Sequence, residues 1–440
     1  MPLASRVPLP GARSRQGLTC PYCFAVVAQA RIPFRCRGRA GRRQGCDPVL
    51  DRRLADYLGS TAGASLPPVF AAPGRKGHAP CPDCGQPTGA RVCPECHNPL
   101  PSAYVDSPGR IVALVGAKNA GKSTYIAVLL HELMNRVGTE LDASLVACDD
   151  RTIERYKRDF ARPLLEERRL LPTTASAATG PREPLVYLLT RTRRARFAPG
   201  RLARSRNDSL ALVLFDTAGE DLRSREVRDL HLRYLEAADA IIFLVDPLEL
   251  PGARAAVVEA APGLPAVPGD DPDSEPINII ARVTEALRQR HGTRPGEPLS
   301  VPVAVALTKI DVLRPALLRQ SALHRSRAGT GVLDLDDREA VDAQVRALLH
   351  EWQAGQLDTY LRQQYADHAL FGISALGGVP EGGRVGAGGV RPYRAEDPLL
   401  WLLYRFGMLD GLRPGSGDGA GGGPPPAGGG PAGPSPFQGM

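Results

Sequence analysis

Residues 111–124 read IVALVGAKNAGKST, and IAVLLHELM follows at 126–134. The apolar run Ile111–Val115 suits a buried parallel strand. Gly116, Gly121, Lys122 and Ser123 fit the pattern G-x-x-x-x-G-K-[ST], with Asn119, Ala120 and Thr124 inside the same stretch. Glycines at those places let several backbone N–H groups converge on a phosphate. The helix behind them directs its positive end at the same point. In that arrangement Lys122 reaches the β- and γ-phosphate oxygens and the Ser123 hydroxyl binds Mg²⁺. The strand before and the helix after set this stretch apart from an ordinary glycine turn.

A second motif follows in order. The strand Ser209–Phe215 ends in Asp216-Thr217-Ala218-Gly219. A carboxylate placed there stands beside the Mg²⁺ hydration shell, and the glycine N–H can sense a γ-phosphate. The strand Val301–Leu307 ends in Thr308-Lys309-Ile310-Asp311. Asp311 can accept hydrogen bonds from guanine N1–H and the 2-amino group, which adenine lacks, while the Lys309 stem packs over the base. Asparagine is the common first residue of this motif, so Thr308 weakens the guanine preference without removing it. The strand Ala369–Ile373 leads to Ser374-Ala375-Leu376, where a backbone N–H can meet guanine O6.

The composition narrows the class. The chain has 440 residues, enough for two or three domains, and 43% of them are hydrophobic. The N-terminus lacks the apolar core of a secretory signal, and no stretch has the roughly 18 apolar residues of a membrane span. A cytoplasmic location is expected. The net charge is +8, but five lysines (Lys76, Lys118, Lys122, Lys157, Lys309) stand among 55 basic residues. An arginine excess of this kind follows from G+C-rich coding, so the charge is a poor argument for nucleic acid. Few rings interleave with the basic residues near the cysteines, and nucleic-acid binding has no support from them.

Eight of the nine cysteines precede residue 97. Without an export signal such pairs read as metal ligands. Cys20, Cys23, Cys36 and Cys46 are expected to form one Zn²⁺ site. Cys81, Cys84, Cys93 and Cys96, in a tighter C-x2-C-x8-C-x2-C spacing, are expected to form a second, firmer one. Four thiolates leave no open coordination position, so both sites read as structural. His97 is surplus to the ligand count, and Cys148 reads as a small core residue. Arg31, Arg35, Arg37, Arg39, Arg42 and Arg43 form either a grip for an acidic partner or a solvated loop.

The expected organisation is a disordered 1–18, a first zinc module at 19–60, a linker at 61–77 and a second zinc ribbon at 78–104. A nucleotide domain spans 109–408, with a charged helical insertion at 139–171, a basic stretch at 191–206 and a surface loop at 247–275. A Gly/Pro-rich disordered tail fills 411–440.

GAKNAGKST, Thr173/Thr174, DTAG, TKID and SAL occur in the order of translation-factor-related P-loop GTPases, which this chain resembles over about 110–408. With the cysteine modules in front and the long insertions, it looks more specifically like the bacterial zinc-ribbon "double-GTPase" proteins. The resemblance implies an α/β fold of the Ras-like P-loop type: a mostly parallel sheet with helices on both faces, preceded by zinc-ribbon modules and followed by a disordered tail. It implies GTP/GDP and Mg²⁺ as cofactors beside Zn²⁺, and a part in bacterial signalling or conflict systems. Lys122 and Ser123 match the phosphate lysine and the Mg²⁺ hydroxyl. Thr173 or Thr174 matches the switch threonine on Mg²⁺, and Asp216 and Gly219 match the second switch. Thr308, Lys309, Asp311, Ser374, Ala375 and Leu376 match base recognition. Asn119 matches a residue that helps hold potassium in some relatives, with Lys118 standing where they have proline. Glu220 replaces the usual water-orienting glutamine, and Arg223 and the Arg191–Arg206 stretch are candidates for a missing arginine finger. Slow hydrolysis is therefore expected, raised by an unidentified protein activator, an effector or a second copy of the chain. A non-hydrolysing adaptor and an ATP-dependent enzyme are the competing readings.

Overall fold

The side chains of 111–115 alternate between two buried faces, and that alternation sets the centre of the molecule. In the computed structural model Ile111, Ala113 and Val115 enter one hydrophobic core and Val112 and Leu114 another, all at most 7% exposed. The structure describes residues 17–39, 45–72, 77–107, 109–117, 119–172, 184–193, 206–214, 232–260, 275–294, 296–327, 329–380, 382–386 and 388–413.

Strand β1 is Gly109–Gly116, followed by helix α1, Lys122–Met134. The other strands of its sheet are β2 (Ala143–Ala147), β3 (Leu185–Arg193), β4 (Arg206–Leu214), β5 (Ala240–Val245), β6 (Val303–Leu307) and β7 (His368–Gly372). Their spatial order is β2-β3-β4-β1-β5-β6-β7. The strands from β4 to β7 run parallel, and β3 and β2 join antiparallel at one edge. Every residue of β5 and β6 is buried, as a strand covered on both faces requires. On the face of Ile111 and Ala113 lie α2 (Pro276–His291), α3 (Leu335–Glu351) and α4 (Gly355–Gln364). On the face of Val112 and Leu114 lie α1 and α5 (Asp397–Arg405). This is the mostly parallel, doubly covered sheet that was expected.

Three expectations about connections fail. The 139–171 insertion is not wholly helical: Ala143–Ala147 forms the edge strand β2, paired along its length with β3. Its apolar alternation is too short to stand out beside the charged helix that follows. That helix begins at Asp150 and continues as a wide π-helical stretch, Tyr156–Glu166, with Pro163 inside. The 247–275 insertion holds a helix at Pro251–Ala260, with Ala253 and Val257 buried against the sheet. The 61–77 linker is part of the cysteine-rich module. Ser65–Leu66 pairs with Val49–Leu50, and Val69–Phe70 pairs with Phe34–Arg35.

Candidate functional site

The loop between β1 and α1 closes on a cleft of about 350 Å³. Gly116 permits the close approach of β5, since a Cβ there would stand 2.6 Å from the Leu244 carbonyl oxygen. Gly121 precedes the helix at φ 86°, a conformation glycine adopts without steric cost. Asn119, Ala120, Gly121, Lys122, Ser123 and Thr124 all line the cleft. The Lys122 ammonium is 7% exposed as a residue and donates to the carbonyls of Gly116 (2.8 Å) and Ala117 (2.7 Å). The ammonium is thus held by carbonyl dipoles of its own loop, at the wall of the cleft.

The other end of the same cleft is lined by Thr308, Lys309, Asp311, Ser374, Ala375 and Leu376. The loop after β6 is tied to its neighbours by backbone bonds. Thr308 N–H donates to Val245 O (2.8 Å), and Ile310 N–H donates to Ile373 O (3.0 Å). The Thr308 hydroxyl also reaches Val245 O at 3.3 Å, so a threonine supplies the strand-to-strand tie here. Lys309 takes φ 52°, and its ammonium pairs with the buried carboxylate of Asp246. Asp246 was not singled out from the sequence; its place directly after β5 was the signal. Ser374 is fixed by paired backbone bonds with Tyr393, and its hydroxyl accepts from Gly377 N–H at 2.8 Å.

A third wall of the cleft is Leu170, Leu171 and Pro172, directly before Thr173. Leu170 N–H donates to Gly383 O (3.0 Å) and Val385 N–H to Arg168 O (2.9 Å). The chain that leads to Thr173 is thus stitched to the loop beyond Ser374–Leu376. Thr173, Thr174, Asp216, Gly219, Glu220, Arg223 and Lys118 lie outside the described residues. The basic stretch is described only at its ends. There Arg191 donates to the carbonyls of Leu141, Met408 and Gly331, each at 3.0 Å, which is a structural use of its charge.

The cysteines group differently from the expected pairing. The thiols of Cys20, Cys23, Cys93 and Cys96 form one tetrad, and those of Cys36, Cys46, Cys81 and Cys84 form the other. Each tetrad joins one cysteine pair from the first segment to one from the second. Spacing along the chain ranks nearby pairs first, whereas small paired strands decide which turns meet. Phe34 pairs with both Phe70 and Arg91, bringing the two segments into one sheet. A tetrahedral four-thiolate zinc with bonds near 2.3 Å requires sulfur–sulfur edges of about 3.8 Å. Cys20–Cys96 and Cys23–Cys93 stand at 3.8 Å, Cys36–Cys84 at 3.6 Å and Cys46–Cys81 at 3.7 Å. N–H groups of Tyr22, Glu95 and Gly38 point at Cys20, Cys93 and Cys36 sulfurs at 3.4 Å, as thiolates favour. The residues fit two zinc ions.

His97 is not a ligand; its Nδ1 lies 2.8 Å from Asp51 Oδ1. Asp51 also accepts from Arg35 at 2.7 Å and caps the helix Arg52–Leu58. Burial pushes the Asp51 carboxyl up, but Arg35, His97 and the Leu54 N–H outweigh it and hold it below the usual carboxylate range. Arg35, from the expected arginine grip, is buried in this knot between the two tetrads.

A G-x-x-x-x-G-K-S loop after the first strand of a mostly parallel sheet, sharing a cleft with the loops after β6 and β7, is the arrangement of a nucleotide-binding P-loop GTPase. Residues 110–356 match the model of the Double-GTPase 2 family, and the chain belongs to that family. It is similar to the "Putative ESX-1 scaffolding and assembly protein SaeC" of Mycolicibacterium smegmatis (strain ATCC 700084 / mc(2)155), at 28% identity over 418 residues. That match covers 89% of this chain and 99% of the relative. Among solved structures, a crystal structure of Era in complex with MgGDPNP and nucleotides 1506–1542 of 16S ribosomal RNA matches at 14% identity with a TM-score of 0.27. The match covers 68% of this chain and 57% of that one. Among the described residues no helix is long and apolar enough to cross a membrane.

Proposed function

We propose that the protein binds GTP with Mg²⁺, hydrolyses it slowly in the cytoplasm, and uses the bound nucleotide to switch its engagement of protein partners. The observation that carries this reading is the gathering of three separate motifs around one cleft: residues 119–124, 308–311 and 374–376. In it Lys122 holds the β- and γ-phosphates, with the N–H groups of Gly116–Thr124 around them. Asp311 reads the guanine edge, the Lys309 stem covers the base, and the Ser374–Leu376 backbone meets O6. Ser123 holds Mg²⁺, together with Thr173 or Thr174 and Asp216. Gly219 senses the γ-phosphate, and Glu220 positions water less well than glutamine does. The two zinc tetrads fold the N-terminal module as a partner dock. The relative named for scaffolding and assembly supports protein partners for this chain.

Competition of GTP, GDP and ATP against a fluorescent GTP analogue tests the reading. GTP and GDP are expected to compete far better than ATP; equal competition by ATP removes the base-reading role of Asp311. A second reading, a non-hydrolysing adaptor, is favoured by the scaffolding relative. Single-turnover measurement separates the two: phosphate release at any rate above the uncatalysed background rules the adaptor out.

A further inference from the structure

Three Cys-Pro-x-Cys turns of this module close in the same way. The residue after the second cysteine donates its N–H to the carbonyl of the first, at 2.9–3.0 Å, and takes a left-handed backbone. Gly85 does so at φ 70°, His97 at 53° and Phe24 at 60°. Glycine adopts this freely, whereas other L-residues lose about 1–2 kcal/mol. His97 uses the position to reach Asp51. Phe24 is 4% exposed, and its ring lies 5.4 Å from that of Tyr234, tilted by 48°. A bulky residue held where glycine would suit points to a task for its ring.

Tyr234 lies among helical residues 232–236, after the DTAG segment, and is fully buried. Its hydroxyl donates to Val112 O and accepts from Leu114 N–H, both at 3.0 Å. These atoms lie on β1 past Ile111, the last residue of that strand paired with β4 among the described residues. The phenol therefore completes the backbone bonding of the strand that delivers the phosphate loop. The same cysteine turn makes a second contact with the nucleotide domain. The Tyr22 hydroxyl donates to Asp149 Oδ2 at 2.8 Å, and Asp149 Oδ1 accepts from Thr152 N–H at 2.7 Å. Asp149 thereby caps the helix that leads through Tyr156–Glu166 to the Leu170–Pro172 wall of the cleft.

We propose that Tyr234 is a positioning residue for nucleotide binding, through which the Cys20/Cys23/Cys93/Cys96 tetrad and the phosphate loop are energetically coupled. This rests on the nucleotide-binding reading above. With the tetrad closed, the Cys20–Cys23 turn keeps Phe24 against Tyr234 and the phenol against β1. With it open, the strained left-handed turn relaxes and that support of β1 is lost. The linkage is reciprocal, so a nucleotide ordering the loop must also hold the tetrad closed.

The test uses full-length zinc-loaded protein and the metallochromic chelator 4-(2-pyridylazo)resorcinol, with and without GDP and Mg²⁺. GDP affinity is measured in parallel with a fluorescent analogue. The second tetrad, with Cys46 and Cys84 half-exposed, is the internal control. Two release phases are expected, and GDP slows only the slower one, by about tenfold. Tyr234→Phe, which keeps the ring and removes the hydroxyl, is expected to weaken GDP binding about fivefold and to cut the slowing below twofold. If that variant does not fold, Phe24→Leu carries the test, and retained slowing in it overturns the coupling. Wild-type protein that binds GDP while both phases stay unchanged also overturns it, and leaves the nucleotide reading intact. Wild-type protein that binds no GDP overturns both.

Discussion

The nucleotide cleft and the cysteine module are assembled by opposite means. Three parts of the cleft are short runs of consecutive residues, each at the end of one strand: 116–124 after β1, 308–311 after β6, 374–376 after β7. The sheet brings the runs together, and the chemistry of each is complete within itself. The metal sites are complete only when distant halves meet: Cys20 lies beside Cys96 and Cys36 beside Cys84, 76 and 48 residues apart. Local sites can be read from spacing, whereas crossed sites can be read only from the pairing of the strands that carry them.

The largest expected effect breaks or confirms that contrast directly. Structural zinc is bound with roughly 10–16 kcal/mol, so losing ligands empties a site outright. The double variant Cys20→Ser/Cys93→Ser is expected to keep one zinc per chain, and Cys20→Ser/Cys36→Ser to keep none. Metal analysis showing the reverse would restore pairing by nearness in sequence. Next is Lys122→Ala. Removing a buried ammonium from bound phosphates costs about 3 kcal/mol, or roughly a hundredfold in GDP affinity by titration calorimetry. Zinc content is expected to stay at two. Asp311→Ala comes third: the preference for GTP over ATP falls at least tenfold in the competition assay, with phosphate contacts kept. An unchanged preference would move guanine recognition elsewhere.

The smallest effect extends the contrast to a third buried cluster, again assembled from distant residues. Arg136, just after α1, pairs with Glu396, 260 residues away, and Arg327 pairs with both Glu140 and Glu396. Within this cluster burial pushes Asp397 up to about 7, against the pull of Arg394 and Arg327. An unfolded aspartate titrates near 4, so the folded state holds a proton that the unfolded chain releases. That contribution is complete below about pH 4 and is lost as the pH rises through 7. Asp397→Asn does not titrate. Its stability relative to wild type is expected to rise by roughly 1 kcal/mol or more between pH 4.5 and 7.5, measured by urea unfolding. A constant difference across that range would place the charged form of Asp397 in the native state throughout.

Much of the nucleotide domain was legible. Four of the seven strands were located within a few residues, because runs such as Ile111–Val115 and Val303–Leu307 have no other stable home than a doubly covered sheet. The residues expected at both ends of the cleft, Gly116 apart, line it among the described residues. What escaped was decided by tertiary pairing. Ala143–Ala147 becomes a strand because β3 offers it an edge, and Pro251–Ala260 becomes a helix because Ala253 and Val257 find the sheet. Val69–Phe70 looks like linker until Phe34–Arg35 is beside it. Asp246 and Tyr234 carry no motif; one is found through its ion pair with Lys309, the other through two backbone bonds to β1.

The two tetrads are nested like brackets. The inner one closes between Cys36 and Cys84, wholly inside the outer one, which runs from Cys20 to Cys96. Closing a loop costs entropy that grows with its length, so the inner site is the cheaper to form first. Once shut, it shortens the free chain that the outer pair must span. Metal uptake during folding should therefore run from the inside outwards. The outer tetrad, which faces the nucleotide domain, cannot close on a growing chain until Cys96 has been made.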